Sequence, residues 1–368
     1  MRNSKREPQR VGLVLGAGGI LGGAWLVGAL QALASETGWD PGSADHIVGT
    51  SAGSMIGALL ASGVPPWFMV AHSAGESFDG LTDAQGNESS GADRSAGASF
   101  RIDRSGFGIG PASWRLGVAS LAHPFRYTPL AIVSGWLPRG IISTAPLKDT
   151  VRRACADDWA PHPNYWAMAV DYATGRRVPL GRAGSPPATL PDAVAASCAI
   201  PAFYCSVEIG GRKYIDGGVY SPSNLDILRE APLDLVVALN PMSSRALPSG
   251  WGLRDRVAQQ MRQAAGRRLG HEAKRLRAAG MEVIMLQPTE ADLEVMGGNL
   301  MSGKRRHEVL ETAVETVTDQ LRGTGAGARL AKLPPGDPRL VRRPTGPPST
   351  WPDFQLAARN RWNELRAA

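Results

Sequence analysis

Two short apolar runs, Val11–Leu15 and His46–Val48, open the chain, and each leads through small residues into a stretch with helical spacing. The first meets a glycine-rich segment and then an apolar stretch that ends at Ala34. A strand, a glycine loop and a helix from about Gly22 to Ala34 fit that pattern. The second run passes through Gly49-Thr50-Ser51-Ala52-Gly53 into Met55–Leu60, with no helix breaker before Gly63. Residues 11–72 therefore read as strand, loop, helix, strand, turn, helix, an α/β pattern with a mainly parallel sheet. Further strands are predicted at Trp166–Asp171, Val207–Ile209, Arg212–Ile215, Leu233–Asn240 and Met281–Gln287. Helices are predicted over Arg254–Ala279 and Lys304–Leu321.

The stretch Val11–Ser35 is uncharged, follows the basic Met1–Arg10, and contains Ala32-Leu33-Ala34, so it also resembles a secretion signal. Its glycines argue otherwise, since each weakens a continuous helix by about 1 kcal/mol relative to alanine. Strand, loop and helix remain the expectation. Three segments follow: a basic N-terminal extension over 1–10, one α/β domain over 11–322, and a Gly/Pro-rich tail over 323–368 with a short final helix. Within the domain, residues 75–110 turn to Gly, Ala, Ser, Asp and Arg and read as a flexible insertion. The apolar stretch Trp114–Trp136 reads as a helix pair packed over the core, with a lipid-contacting lid as the second reading.

At 368 residues, 43% hydrophobic and 20% charged, the chain has ample material for a buried core. Cys155, Cys198 and Cys205 are few, odd in number and without metal-ligand spacing, which suits a reduced, cytoplasmic setting with no disulfide framework. The net charge of +7 favours anionic partners. With no recognisable nucleic-acid module, a membrane-peripheral role is the better expectation. Its candidate face is the helix carrying Arg254, Arg256, Arg262, Arg267, Arg268, Lys274, Arg275 and Arg277 against Asp255 and Glu272, although a solvated helix surface explains these charges as well. No zinc, calcium or P-loop pattern occurs, so neither metal nor cofactor is expected. Oligomeric state is not legible.

Gly49-Thr50-Ser51-Ala52-Gly53 places a serine on a strand-to-helix turn, where a hydroxyl is lifted clear of the sheet edge and faces a helix N-terminus. The plainer alternative is a tight turn with a capping serine. A nucleophilic serine also needs a base and donors for an oxyanion. The loop Gly16-Ala17-Gly18-Gly19-Ile20-Leu21-Gly22 can turn backbone amides inward, because its glycines place no Cβ in the way. The same glycines partly match a dinucleotide fingerprint, but Leu21 stands where its third glycine belongs. The best base is Asp216, at the Asp216-Gly217-Gly218 turn after the strand Arg212–Ile215. His46, His72, His123, His162, His271 and His307 have no motif around them, so a Ser–Asp dyad is favoured over a Ser–His–Asp triad.

The glycine loop, Gly49-Thr50-Ser51-Ala52-Gly53 and Asp216-Gly217-Gly218, in that order and spacing, resemble the patatin-like phospholipases. Ser197-Cys198-Ala199-Ile200-Pro201 with Phe203, and Asn224, also look like that family. The resemblance implies a three-layer α/β/α sandwich and a serine acyl hydrolase of phospholipase A, lysophospholipase or lipid esterase type. Ser51 would be the nucleophile, Asp216 the base, and Gly18 and Gly19 the oxyanion hole, with Gly16, Gly22, Gly49, Gly53, Gly217 and Gly218 shaping the turns. Its partner would be a lipid ester. Two positions depart from the family's pattern: Ala17 stands for a glycine, and Leu21 for an arginine or lysine, which removes a positive charge beside the loop. The other readings are an α/β-hydrolase esterase using His271 or His307, and a catalytically weak relative that binds lipid.

Overall fold

The computed structural model describes residues 9–76, 82–87, 100–103, 110–244 and 253–343. Its centre is an eight-stranded sheet. The strands are β1 (Val11–Leu15), β2 (His46–Thr50), β3 (Tyr165–Asp171), β4 (Arg177–Leu180), β5 (Val207–Ile209), β6 (Arg212–Asp216), β7 (Leu235–Leu239) and β8 (Glu282–Leu286). They lie in the order β5-β6-β3-β2-β1-β7-β8, with β4 also paired to β3. Strands β3, β2, β1, β7 and β8 run parallel to their neighbours, while β4, β5 and β6 form an antiparallel margin.

The helices are α1 (Gly19–Thr37), α2 (Ala52–Ala61), α3 (Pro66–Ser73), α4 (Trp114–Ala122), α5 (Pro129–Trp136), α6 (Ala145–Ala154), α7 (Leu190–Ser197), α8 (Leu253–Ala278), α9 (Glu290–Met296), α10 (Arg306–Gly323), α11 (Ala326–Leu330) and α12 (Pro338–Val341). Alternation along the strands decides which helices cover which face. Leu13, Leu15, Ile47, Leu235, Val237 and Leu239 pack with α1, α2, α3 and α10. Val14, Val48, Trp166, Met168, Val236 and Ala238 face the other way, onto Leu225, Leu228 and the α8 residues Leu269, Ala273 and Leu276. Helices on both faces of a mostly parallel sheet make the expected three-layer α/β/α arrangement. Helix α1 begins at Gly19 rather than near Gly22, so its first turn lies inside the glycine loop.

Two expectations need amendment. The tail read as loose from residue 323, yet Leu330, Leu333 and Leu340 are buried in the main core and Trp67 donates its indole N–H to the Arg339 carbonyl at 2.9 Å. A few well-placed apolar residues tie down a segment whose composition reads as linker. Conversely, α4 and α5 form the predicted helix pair but leave much of their apolar surface in solvent. Most of the 75–110 insertion and the predicted final helix lie outside the described residues, as do residues 1–8 of the N-terminal extension.

Candidate active site

The register of the sheet brings Ser51 and Asp216 together. Thr50, at the end of β2, pairs with Met168 of β3, and the next residue of β3, Ala169, pairs with Asp216 of β6. Ser51 and Asp216 thus flank β3 at one level. The glycine loop leaves β1, whose neighbours β2 and β7 lie on opposite sides of it, and the crevice outside such strand ends is the usual ligand site of an open α/β sheet.

Ser51 has φ 54° and ψ −123°, strained values for a residue with a side chain. Close packing enforces this turn. A Cβ on Gly49 would lie 2.4 Å from the Ser54 Cα, and one on Gly53 would lie 2.1 Å from the Leu15 carbonyl oxygen. The Ser51 amide donates to the Ser197 hydroxyl at 3.0 Å, and that hydroxyl donates to the Met168 carbonyl at 2.6 Å. Ser51 stands at the N-cap of α2, yet its side chain makes no capping hydrogen bond. The absence of a capping bond removes the capping-serine alternative, and the hydroxyl lies close enough to Asp216 to lower the pKa of its carboxyl.

Asp216 is 5% exposed. Burial raises its pKa from 3.8 to about 6, while the Ser51 hydroxyl and the Gly218 amide, which donates at 2.7 Å, partly restrain the rise. Gly217 lies against the backbone of β3, so that a Cβ there would come 2.2 Å from the Met168 carbonyl oxygen. A Cβ on Gly218 would sit 3.7 Å from the Ala17 Cβ, so the aspartate turn faces the glycine loop and Ala17 fits there without a clash.

The glycine loop is held from both sides. Gly16 N–H donates to the Leu239 carbonyl at 2.9 Å and Ala17 N–H to the Pro222 carbonyl at 2.8 Å. A Cβ on Gly16 would lie 2.4 Å from the Asn240 Oδ1, and one on Gly22 would lie 3.2 Å from the Pro241 Cγ. Gly18 approaches the Gly22 Cα within 2.6 Å of where a Cβ would be, and Gly19 has φ +61°. The Gly18 and Gly19 amides find no acceptor among the described residues. Leu21 is a core residue, 2% exposed, so its side chain fills hydrophobic space. Nearby, the 6%-exposed Arg262 donates to the carbonyl of Pro241, whose ring packs on Gly18 and Gly22, so a buried cation does lie close behind the loop.

No described histidine is recorded in contact with Ser51 or Asp216. His46 starts β2, packs edge-on against Trp166 and is brought down to about 4 by burial. His72 stacks on Phe68, His162 accepts from the Asn164 amide and bonds the Ala44 carbonyl, and His271 and His307 are exposed. Much of the α8 basic face is occupied within the protein. Arg262 binds Pro241, Arg268 binds Glu272, Arg275 binds Asp226 and Arg277 binds the Val283 carbonyl. Four of the eight basic residues of this helix thus have partners within the protein, while Arg267 and Lys274 are exposed. Among the described residues, no group of three His, Cys, Asp or Glu side chains is placed to hold a metal ion.

A supporting network joins Asn224, singled out in the sequence by its resemblance to the family, with Glu272, which had no sequence signal. Asn224, buried with φ 49°, donates its amide to the Thr50 hydroxyl at 3.1 Å and to the Gly217 carbonyl at 3.3 Å. Glu272, 1% exposed, accepts from the Ser221 and Ser223 hydroxyls at 2.7 and 2.6 Å and from the Leu225 amide at 2.8 Å. In the sequence Glu272 is merely an acid among bases, and only the polar run Ser221-Pro222-Ser223-Asn224 hinted at a constrained loop.

A search of curated proteins finds no match to this chain. A model of the patatin-like phospholipase family matches residues 13–229, more than half of the chain and the span from within β1 through the aspartate turn, and the chain belongs to that family.

Proposed function

We propose that the protein is a serine acyl hydrolase that cleaves carboxylic ester bonds of lipids through a Ser51–Asp216 dyad. One observation carries this reading: Ser51, held on a strained turn with no capping bond, stands across β3 from the buried Asp216, whose carboxyl it influences. Membership of a phospholipase family supports a lipid ester as substrate.

In this scheme Asp216 takes the Ser51 proton as the hydroxyl oxygen bonds to the ester carbonyl carbon, and the Gly18 and Gly19 amides donate to the developing oxyanion. Asp216 returns the proton to the departing alcohol. Water then attacks the acyl-enzyme as Asp216 takes its proton, and the acid leaves with Ser51 restored. A carboxylate is ordinarily a weak base at neutral pH, and the rise to about 6 brings Asp216 closer to what the task needs.

Reaction with a fluorophosphonate probe tests this directly. Wild type should label, and Ser51→Ala and Asp216→Ala should not. Labelling that survives in Ser51→Ala removes the scheme.

A further inference from the structure

Helices α4 and α5 lie against each other, with Gly135 so close to Gly117 that a Cβ would meet the Gly117 amide nitrogen at 2.8 Å. Their inner sides, Leu116 and Ala131, pack on Val170, Tyr172, Ile215 and Val219. Polar contacts fix the pair in place: Thr128 Oγ1 donates to the Val219 carbonyl at 2.7 Å, Ser113 Oγ to the Tyr172 carbonyl at 2.6 Å, and the Tyr172 hydroxyl to the Ser134 carbonyl at 2.9 Å. Val219 belongs to the turn that starts at Asp216. The pair is thus mounted on the aspartate turn of the candidate active site.

The outer side is apolar and open. Trp114, Val118 and Leu121, spaced to share one side of α4, are 61%, 57% and 65% exposed, and Phe125 is fully exposed. Leu130, Val133 and Trp136 extend the surface onto α5. Large apolar side chains concentrated in this way mark an interaction surface. Charge identifies the partner. Between Asp103 and Asp149 the sequence contains no Asp or Glu, whereas Arg115, Arg126 and Arg139 are all exposed. Two copies meeting through this face would bring arginines against arginines. An anionic lipid surface instead takes the aromatic and aliphatic side chains into its head-group boundary and pairs the arginines with phosphates. No described helix is long and apolar enough to cross a membrane, so the contact would be interfacial.

We propose that the outer side of the α4–α5 pair is the surface by which the protein docks on an anionic lipid interface, setting the Ser51–Asp216 site beside its substrate. This rests on the lipid acyl hydrolase reading for its purpose but is tested separately from it. Binding is measured by co-sedimentation in the Ser51→Ala background, where turnover plays no part. The probes are vesicles of phosphatidylcholine alone and of phosphatidylcholine with an equal share of phosphatidylglycerol. The protein should favour the mixed vesicles. Val118→Asp/Leu121→Asp/Phe125→Asp should weaken that binding about tenfold or more, and Arg115→Gln/Arg126→Gln/Arg139→Gln should abolish the preference for phosphatidylglycerol. With Ser51 intact, hydrolysis of a short water-soluble ester should be unchanged by either triple variant. Should the aspartates prevent folding, Leu121→Ala/Phe125→Ala replaces them. Unchanged vesicle binding in the apolar variants overturns the proposal, as does a shift from dimer to monomer by light scattering with no change in vesicle binding. A protein that binds vesicles as described but never hydrolyses an ester would keep the docking surface and lose the hydrolase reading.

Discussion

The amide of Asn224 donates to the hydroxyl of Thr50 at 3.1 Å, tying the loop after β6 to the residue that immediately precedes Ser51. The same nitrogen reaches the Gly217 carbonyl at 3.3 Å, next to Asp216, so one side chain links the nucleophile turn to the turn of its partner. A proton transfer between serine and aspartate depends on their separation, and displacements of about 1 Å can cost roughly 10²-fold in rate. Asn224→Asp keeps shape and tolerance of the left-handed backbone but replaces a donor with an acceptor facing the Gly217 carbonyl and the Ser221 carbonyl, to which the amide also donates at 2.6 Å. It should lower kcat on a soluble ester by about 10–100-fold and stability by about 1–3 kcal/mol, read from ester hydrolysis and urea unfolding.

The raised pKa of Asp216 has consequences of opposite sign for activity and stability. In the proposed scheme the ionised form is the base, so kcat/KM should rise with pH through a midpoint near 6 and level off above it. A carboxyl group whose folded pKa lies above its unfolded value favours the folded state when protonated. That contribution is complete below about 3.8 and is lost as pH rises through about 6. Asp216→Asn removes the buried charge, and the gap between 3.8 and about 6 corresponds to roughly 3 kcal/mol. The variant should be inactive and more stable than wild type at pH 8, with the difference vanishing near pH 4. A pH profile flat between 5 and 8 would show that another group sets the rate.

The two glycines after Asp216 should respond differently to alanine. At Gly217 a methyl group would collide with the Met168 backbone at 2.2 Å, so Gly217→Ala should fold poorly or not at all. At Gly218 the nearest atom is the Asp216 Oδ1 at 3.0 Å, a side-chain atom that can move. Gly218→Ala should leave the thermal midpoint nearly unchanged while activity falls, because the displaced oxygen is the one held by the Gly218 amide.

Ser197 supports the proposed nucleophile from behind, accepting from the Ser51 amide while donating to Met168. Ser197→Ala would leave a buried amide and a buried carbonyl without this partner. A loss of about 1–3 kcal/mol in unfolding free energy is expected, with slower fluorophosphonate labelling at Ser51. Equal labelling rates would mean that packing at Gly49 and Gly53 suffices to hold the turn.

Local rules carry far along this chain. The apolar runs and the glycine loop gave away the α/β pattern, and the two glycine-marked turns singled out Ser51 and Asp216 as candidates, because strand alternation and the geometry of tight turns are written in neighbouring residues. Segments without such marks were missed, among them β4 and helices α6 and α7, whose short or mixed patterns acquire direction only by packing on β3 and the core. Other decisions belong to the tertiary structure. The register of β2, β3 and β6 joins residues far apart in sequence and puts a serine against a carboxylate. The burial of Asp216 moves its pKa to about 6, and the packing of Leu330 and Leu340 ties down a tail whose composition says linker. Asn224 and Glu272 acquire their partners only when the loop after β6 closes between β2 and α8. The outer side of α4 and α5 stays in solvent for the same reason: amphipathic spacing shows that a helix has an apolar stripe, and only the folded chain decides whether protein covers it.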